Sequence, residues 1–240
     1  MVLEGGVVEN MGEDSWDDTN YKKRNGYDIC AEFKKLPEQC YHNLWEEWKR
    51  DVEKAKRVGG ESTTQAYVMF LLNKLFSMKS RALLLIDIRG DNHKTRLEGI
   101  GLEGCITPPD FVFQNSNFTY VNGNKAPAPR VIVEVKSIGI HPGTDGHSSK
   151  GEQSYTWLKY VGGKLKLTQL DSYLGYLSKG TSIVICTDLL WWEVYSVKSG
   201  STGKDIVNDI EFGYCAIPKD SGEAEFNALM TALETLLPRS

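Results

Sequence analysis

Arg130-Val131-Ile132-Val133-Glu134-Val135-Lys136 is the clearest strand in the chain, and its reading decides the fold. β-Branched residues dominate it, which suits an extended, pleated backbone. Side chains alternate across a strand, so Val131, Val133 and Val135 share one face while Ile132, Glu134 and Lys136 share the other. The valine face can enter a core. The opposite face ends in an acid and a base two residues apart. Because Lys and Glu are seldom buried unless paired, that end is expected in a cleft or at a rim.

Other elements can be read outward from this strand. Pro109-Asp110-Phe111-Val112-Phe113-Gln114 precedes it as a second strand, joined through the Asn-, Gly- and Pro-rich stretch 115–129. Arg81 to Ile88 is a run of buried-strand type. Residues 41–57 predict an amphipathic helix, with Leu44, Trp48 and Val52 spaced four apart, ended by Gly59-Gly60. A second helix runs from about Glu61 to Met78, with Ser62 or Thr63 as its cap and Val68, Leu71, Leu72, Leu75 and Phe76 as its apolar face. The polar, Gly-punctuated stretch 91–103 reads as a turn or weak strand. Residues 165–178 read as a helix with a leucine stripe (Leu167, Leu170, Leu174, Leu177), 181–187 and 191–197 as strands, and 223–237 as a final helix. This order predicts an α/β fold, a mixed central β-sheet flanked by helices.

Two carboxylates facing one space repel each other, and a hard cation such as Mg²⁺ relieves the repulsion. If the strands bearing Asp110 and Glu134 pair as a hairpin, the two acids lie side by side with Lys136 next to them. Such a cation retains water, which supplies a nucleophile, and it polarises a phosphate oxygen. A neighbouring lysine can hold that water and offset charge on pentavalent phosphorus. Neither Glu-x-Lys nor Pro-Asp carries this reading alone, since both are common on exposed strands and at turns. Their order, strand settings and spacing of 24 residues carry it together.

In that combination, Pro109-Asp110 followed by Glu134-Val135-Lys136 resembles the motif of the PD-(D/E)xK, or restriction-endonuclease-like, nuclease superfamily, over roughly residues 58–198. Gln169 and Tyr173 are similar to the Q-x-x-x-Y element of several branches, and Glu61 stands where many members carry an accessory acid. The resemblance implies an αβββαβ core after an N-terminal helical extension. It also implies an Mg²⁺ site, with Mn²⁺ able to substitute, formed by Asp110, Glu134, the Val135 carbonyl and Glu61. Lys136 would position water and Gln169 would assist. The implied activity is endonucleolytic hydrolysis of nucleic acid, DNA ahead of RNA, and a homodimer is one expected state because many such enzymes cut both strands. The stretch 137–165 is longer than in the compact family form. The competing reading is a non-catalytic nucleic-acid-binding or assembly module that keeps the fold.

Several residues have plainer readings. Glu61 also suits a first-turn helix acid favoured by the macrodipole, Gln169 an exposed helix position, and Tyr173 and Tyr176 amphipathic packing. His141 and His147, with Asp145 between them, read as loop histidines rather than a zinc site, and Trp191-Trp192 as core and rim rather than a base-stacking platform.

Composition sets the outer bounds. The 240 residues are 40% hydrophobic and 25% charged, as in ordinary soluble domains, and contain no apolar run of membrane-spanning length. Met1 to Asn20 holds six acids and neither Lys nor Arg, so residues 1–40 are expected to be an acidic, flexible segment before a single domain over 41–240. The net charge of -4 speaks against a sequence-indifferent DNA coat, although residues 130–170 carry six basic side chains against three acids. Five scattered cysteines without a C-x-x-C pair suggest reduced thiols in an intracellular protein. With four histidines and no H-E-x-x-H arrangement, a zinc hydrolase lacks support.

Overall fold

The computed structural model describes residues 27–34, 41–78, 83–89, 94–105, 108–118, 126–139, 159–161, 164–166, 169–197 and 210–237. In chain order the elements are β1 (Tyr27–Asp28), α1 (Ile29–Phe33), α2 (His42–Val58), α3 (Glu61–Met78), β2 (Leu83–Asp87), α4 (Lys94–Gly99), β3 (Phe111–Asn115) and β4 (Val131–Val135). They continue with β5 (Lys159–Val161), β6 (Lys164–Lys166), α5 (Gln169–Leu174), a 3-10 turn (Leu177–Lys179), β7 (Ile183–Thr187), β8 (Trp191–Val197), β9 (Ile210–Ala216) and α6 (Glu223–Leu236).

Among the described residues, seven strands form a mixed sheet in the order β1-β9-β8-β7-β4-β3-β2, and β5 and β6 form a separate antiparallel pair. Strands β2, β3 and β4 are antiparallel neighbours, as are β7, β8 and β9; β4 and β7 join these halves in parallel. The fold is therefore mixed α/β with helices against the sheet, as the order of elements predicts.

Both sheet faces are covered. On one, Phe111, Phe113, Val131, Val133, Val135, Ile183 and Ile185 pack with the apolar sides of α2, α3 and α6. Phe76 meets Phe113 edge-on at 4.9 Å, and Trp48 stacks on Trp45 at 5.0 Å while touching Phe226. On the other face, Val112, Ile132, Val184 and Cys186 pack with Tyr173, Tyr176 and Leu177 and with the residues around α4. The Ile132 and Glu134 face of β4 thus lies against a second core and Glu134 is buried in it, while Lys136 keeps partial exposure; the sequence pointed to a cleft or a rim.

The structure departs from the sequence reading at several elements. Residues 94–99 form helix α4 rather than a turn or weak strand, because Leu97 and Ile100 turn inward under the sheet. Leu165 lies in β6, so the leucine-striped helix begins only at Gln169 and is short. Helix α3 starts at Glu61 itself, without Ser62 or Thr63 as the residue before it. Strand β9 was not anticipated, since Gly213 interrupts its pattern. That glycine has a packing reason: a Cβ there would stand 2.5 Å from Ile29 Cγ1 and 2.8 Å from the Tyr27 ring. Residues 27–34, within the stretch expected to be a tail, instead form β1 and α1; Tyr27 pairs with Gly213, and Ile29 is fully buried. Cys30 and Cys215 form a disulfide across that contact, against the expectation of reduced thiols. The acidic stretch 1–20 lies outside the described residues. Among the described residues, no helix is long and apolar enough to cross a membrane.

The turn between β7 and β8 is knit unusually tightly. Leu189 is fully buried with a φ of 80°, and its carbonyl accepts both the Trp48 indole N–H at 3.2 Å and the Trp192 indole N–H at 3.1 Å. Trp48 therefore contributes packing and a buried hydrogen bond at once. Trp48→Ala is expected to cost about 3–5 kcal/mol in urea unfolding. The exposed Val58→Ala should stay within about 0.5 kcal/mol.

Candidate functional site

The site grows from an offset between two strands of equal length: Phe111 opens β3 opposite Val133, so β4 continues past the start of β3. Pro109 has no N–H, so β3 cannot extend its ladder in that direction. The last main-chain bonds run from the Asp110 N–H to the Val133 carbonyl (3.1 Å) and from the Ile88 N–H to the Asp110 carbonyl (3.2 Å). The next donor on β4, the Val135 N–H, reaches the Asp110 side chain instead, donating to Oδ2 at 2.7 Å. The Asp110 carboxylate thus continues the hairpin ladder and is drawn beside Glu134.

Helix α3 closes the site from one face of the sheet. Gln65, one turn after Glu61, donates from Nε2 to Asp110 Oδ1 at 2.6 Å and to Glu61 Oε1 at 3.1 Å. From the other face, the Tyr173 hydroxyl donates to Glu134 Oε2 at 3.1 Å, and Lys136 Nζ donates to Glu134 Oε1 at 2.8 Å. Glu134, Gln65 and Tyr173 are buried, whereas Glu61, Asp110 and Lys136 keep partial exposure. Arg89, exposed, is held by Asp87 through its Nε at 2.9 Å, and its charge lies within the field of Asp110.

Two clamps fix the chain just past Lys136. The Thr64 hydroxyl accepts the Ile138 N–H at 3.1 Å, and Asp188 Oδ2 accepts the Gly139 N–H at 3.2 Å. Asp188 lies beyond the end of β7, which runs parallel to β4, so both strands deliver their acids to the same edge. Burial lifts the Asp188 carboxyl to about 6 against the pull of four backbone N–H groups, including those of Trp191, Leu190 and Gly139.

Charge is unbalanced here. Burial first, and then the neighbouring Glu134, push Asp110 up to about 8, while the Val135 N–H and Lys136 oppose the shift. Burial likewise raises Glu134. Burial disfavours the Lys136 ammonium, but the contact with Glu134 outweighs this and leaves its pKa above the ordinary lysine value. Without a further cation the site therefore holds more carboxylate than it can comfortably ionise.

The structure brings together Asp110, Glu134, Lys136 and Glu61 from the sequence reading, and adds Tyr173 as a hydroxyl donor rather than mere packing. Gln65 was missed. Its signal was available, since it is a polar residue four after Glu61 on the side of α3 that turns inward. Gln169 opens α5, and its side chain lies outside the described residues, as do His141, Asp145 and His147. Trp192 is core, and Trp191 is a partly buried neighbour stacked on Tyr214 at 5.7 Å. Among the described residues, no three His, Cys, Asp or Glu side chains are placed to hold a metal by themselves. Comparison with protein-family models, curated proteins and solved structures finds no match to this chain.

A testable consequence follows from the Asp110 shift. An acid whose folded pKa lies above its ordinary value of 3.8 binds its proton more tightly in the folded state. Its presence therefore lowers stability increasingly as pH rises from about 4 to about 8, where the unfolded chain has already ionised. Asp110→Asn removes this term. In metal-free buffer the variant should gain roughly 1–3 kcal/mol, a few degrees in Tm, at pH 8 and distinctly less at pH 5. Equal changes at both pH values in a thermal melt would count against the buried-charge account.

Proposed function

We propose that the protein is a metal-dependent nuclease of the restriction-endonuclease-like type, hydrolysing phosphodiester bonds of nucleic acid, DNA in preference to RNA. The observation that carries this reading is the meeting of Asp110, Glu134 and Lys136 at one end of the β3–β4 hairpin, with Lys136 Nζ on the Glu134 carboxylate. With α4 and the β5–β6 pair taken as insertions, the order α3, β2, β3, β4, α5, β7, with β4 parallel to β7, is compatible with an αβββαβ core and supports the same reading.

The donor set fits a hard divalent cation. Two carboxylates lie at the hairpin end, a third from Glu61 approaches through Gln65, and the excess negative charge is what a cation would neutralise. Asp110, Glu134 and the Val135 carbonyl would hold Mg²⁺ or Mn²⁺, with Glu61 as an accessory acid. When bound, the cation supplies Lewis-acid polarisation of a phosphate oxygen and a more acidic water.

This chain's own residues do the rest. Lys136 Nζ, 2.8 Å from Glu134 Oε1, acts as a donor that orients the attacking water and stabilises charge on phosphorus. The water oxygen forms the new P–O bond and releases a proton to solvent, while the bond from phosphorus to the sugar oxygen breaks and that oxygen takes up a proton from solvent. Tyr173 and Lys136 together fix both oxygens of Glu134, so its orientation does not have to be found anew in each turnover. To Arg89, an exposed guanidinium held by Asp87, we assign the contact with a backbone phosphate.

The test is cleavage of linear, circular and single-stranded DNA and of RNA with Mg²⁺, Mn²⁺ or EDTA. Metal-dependent cutting is expected, lost by at least about a hundredfold in Asp110→Ala, Glu134→Ala and Lys136→Ala proteins that retain native circular dichroism. Cutting that persists in Glu134→Ala overturns the site. Neither cutting nor metal uptake by the wild-type chain would instead support a non-catalytic binding or assembly module.

A further inference from the structure

Gln65 holds a position in the site that its hydrogen bonds alone do not explain. A single nitrogen, Nε2, lies 2.6 Å from an Asp110 oxygen and 3.1 Å from a Glu61 oxygen. Two carboxylates from different elements thus converge on one partial positive charge, in a residue that is only 6% exposed. This is the arrangement a small cation would adopt between them, with an amide NH₂ in its place. Among the described residues no three acidic, His or Cys side chains group as a metal site, so neutral oxygens, bound water included, would share in any coordination there. A glutamine amide offers one, because its oxygen and nitrogen exchange places by a half-turn about the last side-chain torsion, which is broad and two-fold. Amide oxygens are ordinary ligands for hard divalent cations.

We propose that Gln65 is a convertible ligand. In the metal-free protein its NH₂ substitutes for the cation between Glu61 and Asp110, and when the cation enters, the amide turns and presents Oε1 to it. This rests on the metal reading of Asp110 and Glu134 given above. The turn costs little on the protein side, since the cation takes over the neutralising role that Nε2 gives up. It also explains why Glu61 belongs to the site at all: through Gln65 it is held in place before any metal arrives. The class of ligand is a hard divalent cation, Mg²⁺ or Mn²⁺, rather than a soft metal, because the donor atoms are oxygens.

The experiment is calorimetric titration of the full chain with Mn²⁺ and with Mg²⁺, joined to ¹⁵N spectra that follow the Gln65 side-chain NH₂ pair, identified by its absence in Gln65→Leu. Wild type is expected to take up the cation. Gln65→Leu should bind about tenfold more weakly or worse, and Gln65→Glu at least as tightly as wild type. On adding Mg²⁺ the Gln65 NH₂ signals should move upfield as their carboxylate partners are lost. Unchanged affinity in Gln65→Leu overturns the proposal, and so does weakened affinity with NH₂ signals that stay in place, which marks Gln65 as a positioning donor only. If Gln65→Leu fails to fold, Gln65→Glu identifies the NH₂ pair by its absence, and the wild-type shift on adding Mg²⁺ decides alone. Loss of uptake in Asp110→Asn with normal uptake in Gln65→Leu would leave the metal site standing without Gln65. Absence of uptake by wild type would remove both.

Discussion

The parallel pairing of β4 with β7 is the contact on which the rest of the architecture depends. On either side of it the sheet is antiparallel, and hairpin-like neighbours could form locally. A parallel pair instead requires the chain to leave one end of β4 and return to the opposite end of β7, and here the return carries α5 across one sheet face. The consequence is that both strands finish at the same edge. Lys136 and the clamp at Gly139 come from one, Asp188 from the other, and α3 closes over them from the opposite face. A sheet antiparallel throughout would have sent Asp188 to the far end of the molecule.

A second constraint acts through Glu134. A carboxylate with 3% exposure in the middle of a sheet is tolerated only when its oxygens are occupied, since burying an unpaired charge costs far more than ordinary stability margins allow. Lys136 and Tyr173 take one oxygen each. Asp110 meets the same requirement differently, using a backbone donor on one oxygen and an amide on the other. Each acid thereby has fixed orientation, while the sum of charges stays unbalanced. Rigid geometry with unsatisfied charge is a combination that structural ion pairs do not need and that cation or phosphate chemistry does.

The elements around this centre could largely be read from the residues. Alternation in 131–135, the apolar runs at 83–87 and 183–187, and the four-residue spacing of Leu44, Trp48 and Val52 each carry a period that the backbone obeys. What could not be read was decided by tertiary contact. The polar stretch 94–99 becomes helical because Leu97 and Ile100 find a sheet face to cover, and β9 is hidden by a glycine that serves Tyr27 and Ile29 rather than its own strand. The site shows the same division. Asp110, Glu134 and Lys136 stand out because acids and a base in apolar strands are conspicuous. Gln65 is inconspicuous in a helix, and its role emerges only when a residue 45 positions away comes to face it. Glu61 had two readings in the sequence, and its contact with Gln65 places it beside Asp110, whatever it also contributes to the helix dipole.

The distances along the chain between paired strands bear on how the molecule is made. The hairpin β7–β8 closes over residues 188–190 alone, but Val131 pairs with Ile183, and Tyr27 pairs with Gly213. Pairings of such high contact order form slowly, because loop-closure entropy is lost before any contact returns it. The polar cluster sits at the end of the β3–β4 hairpin, next to the β4–β7 seam, and needs α3 and Tyr173 as well. Its full set of contacts therefore exists only once strands, α3 and Tyr173, distant along the chain, have come together.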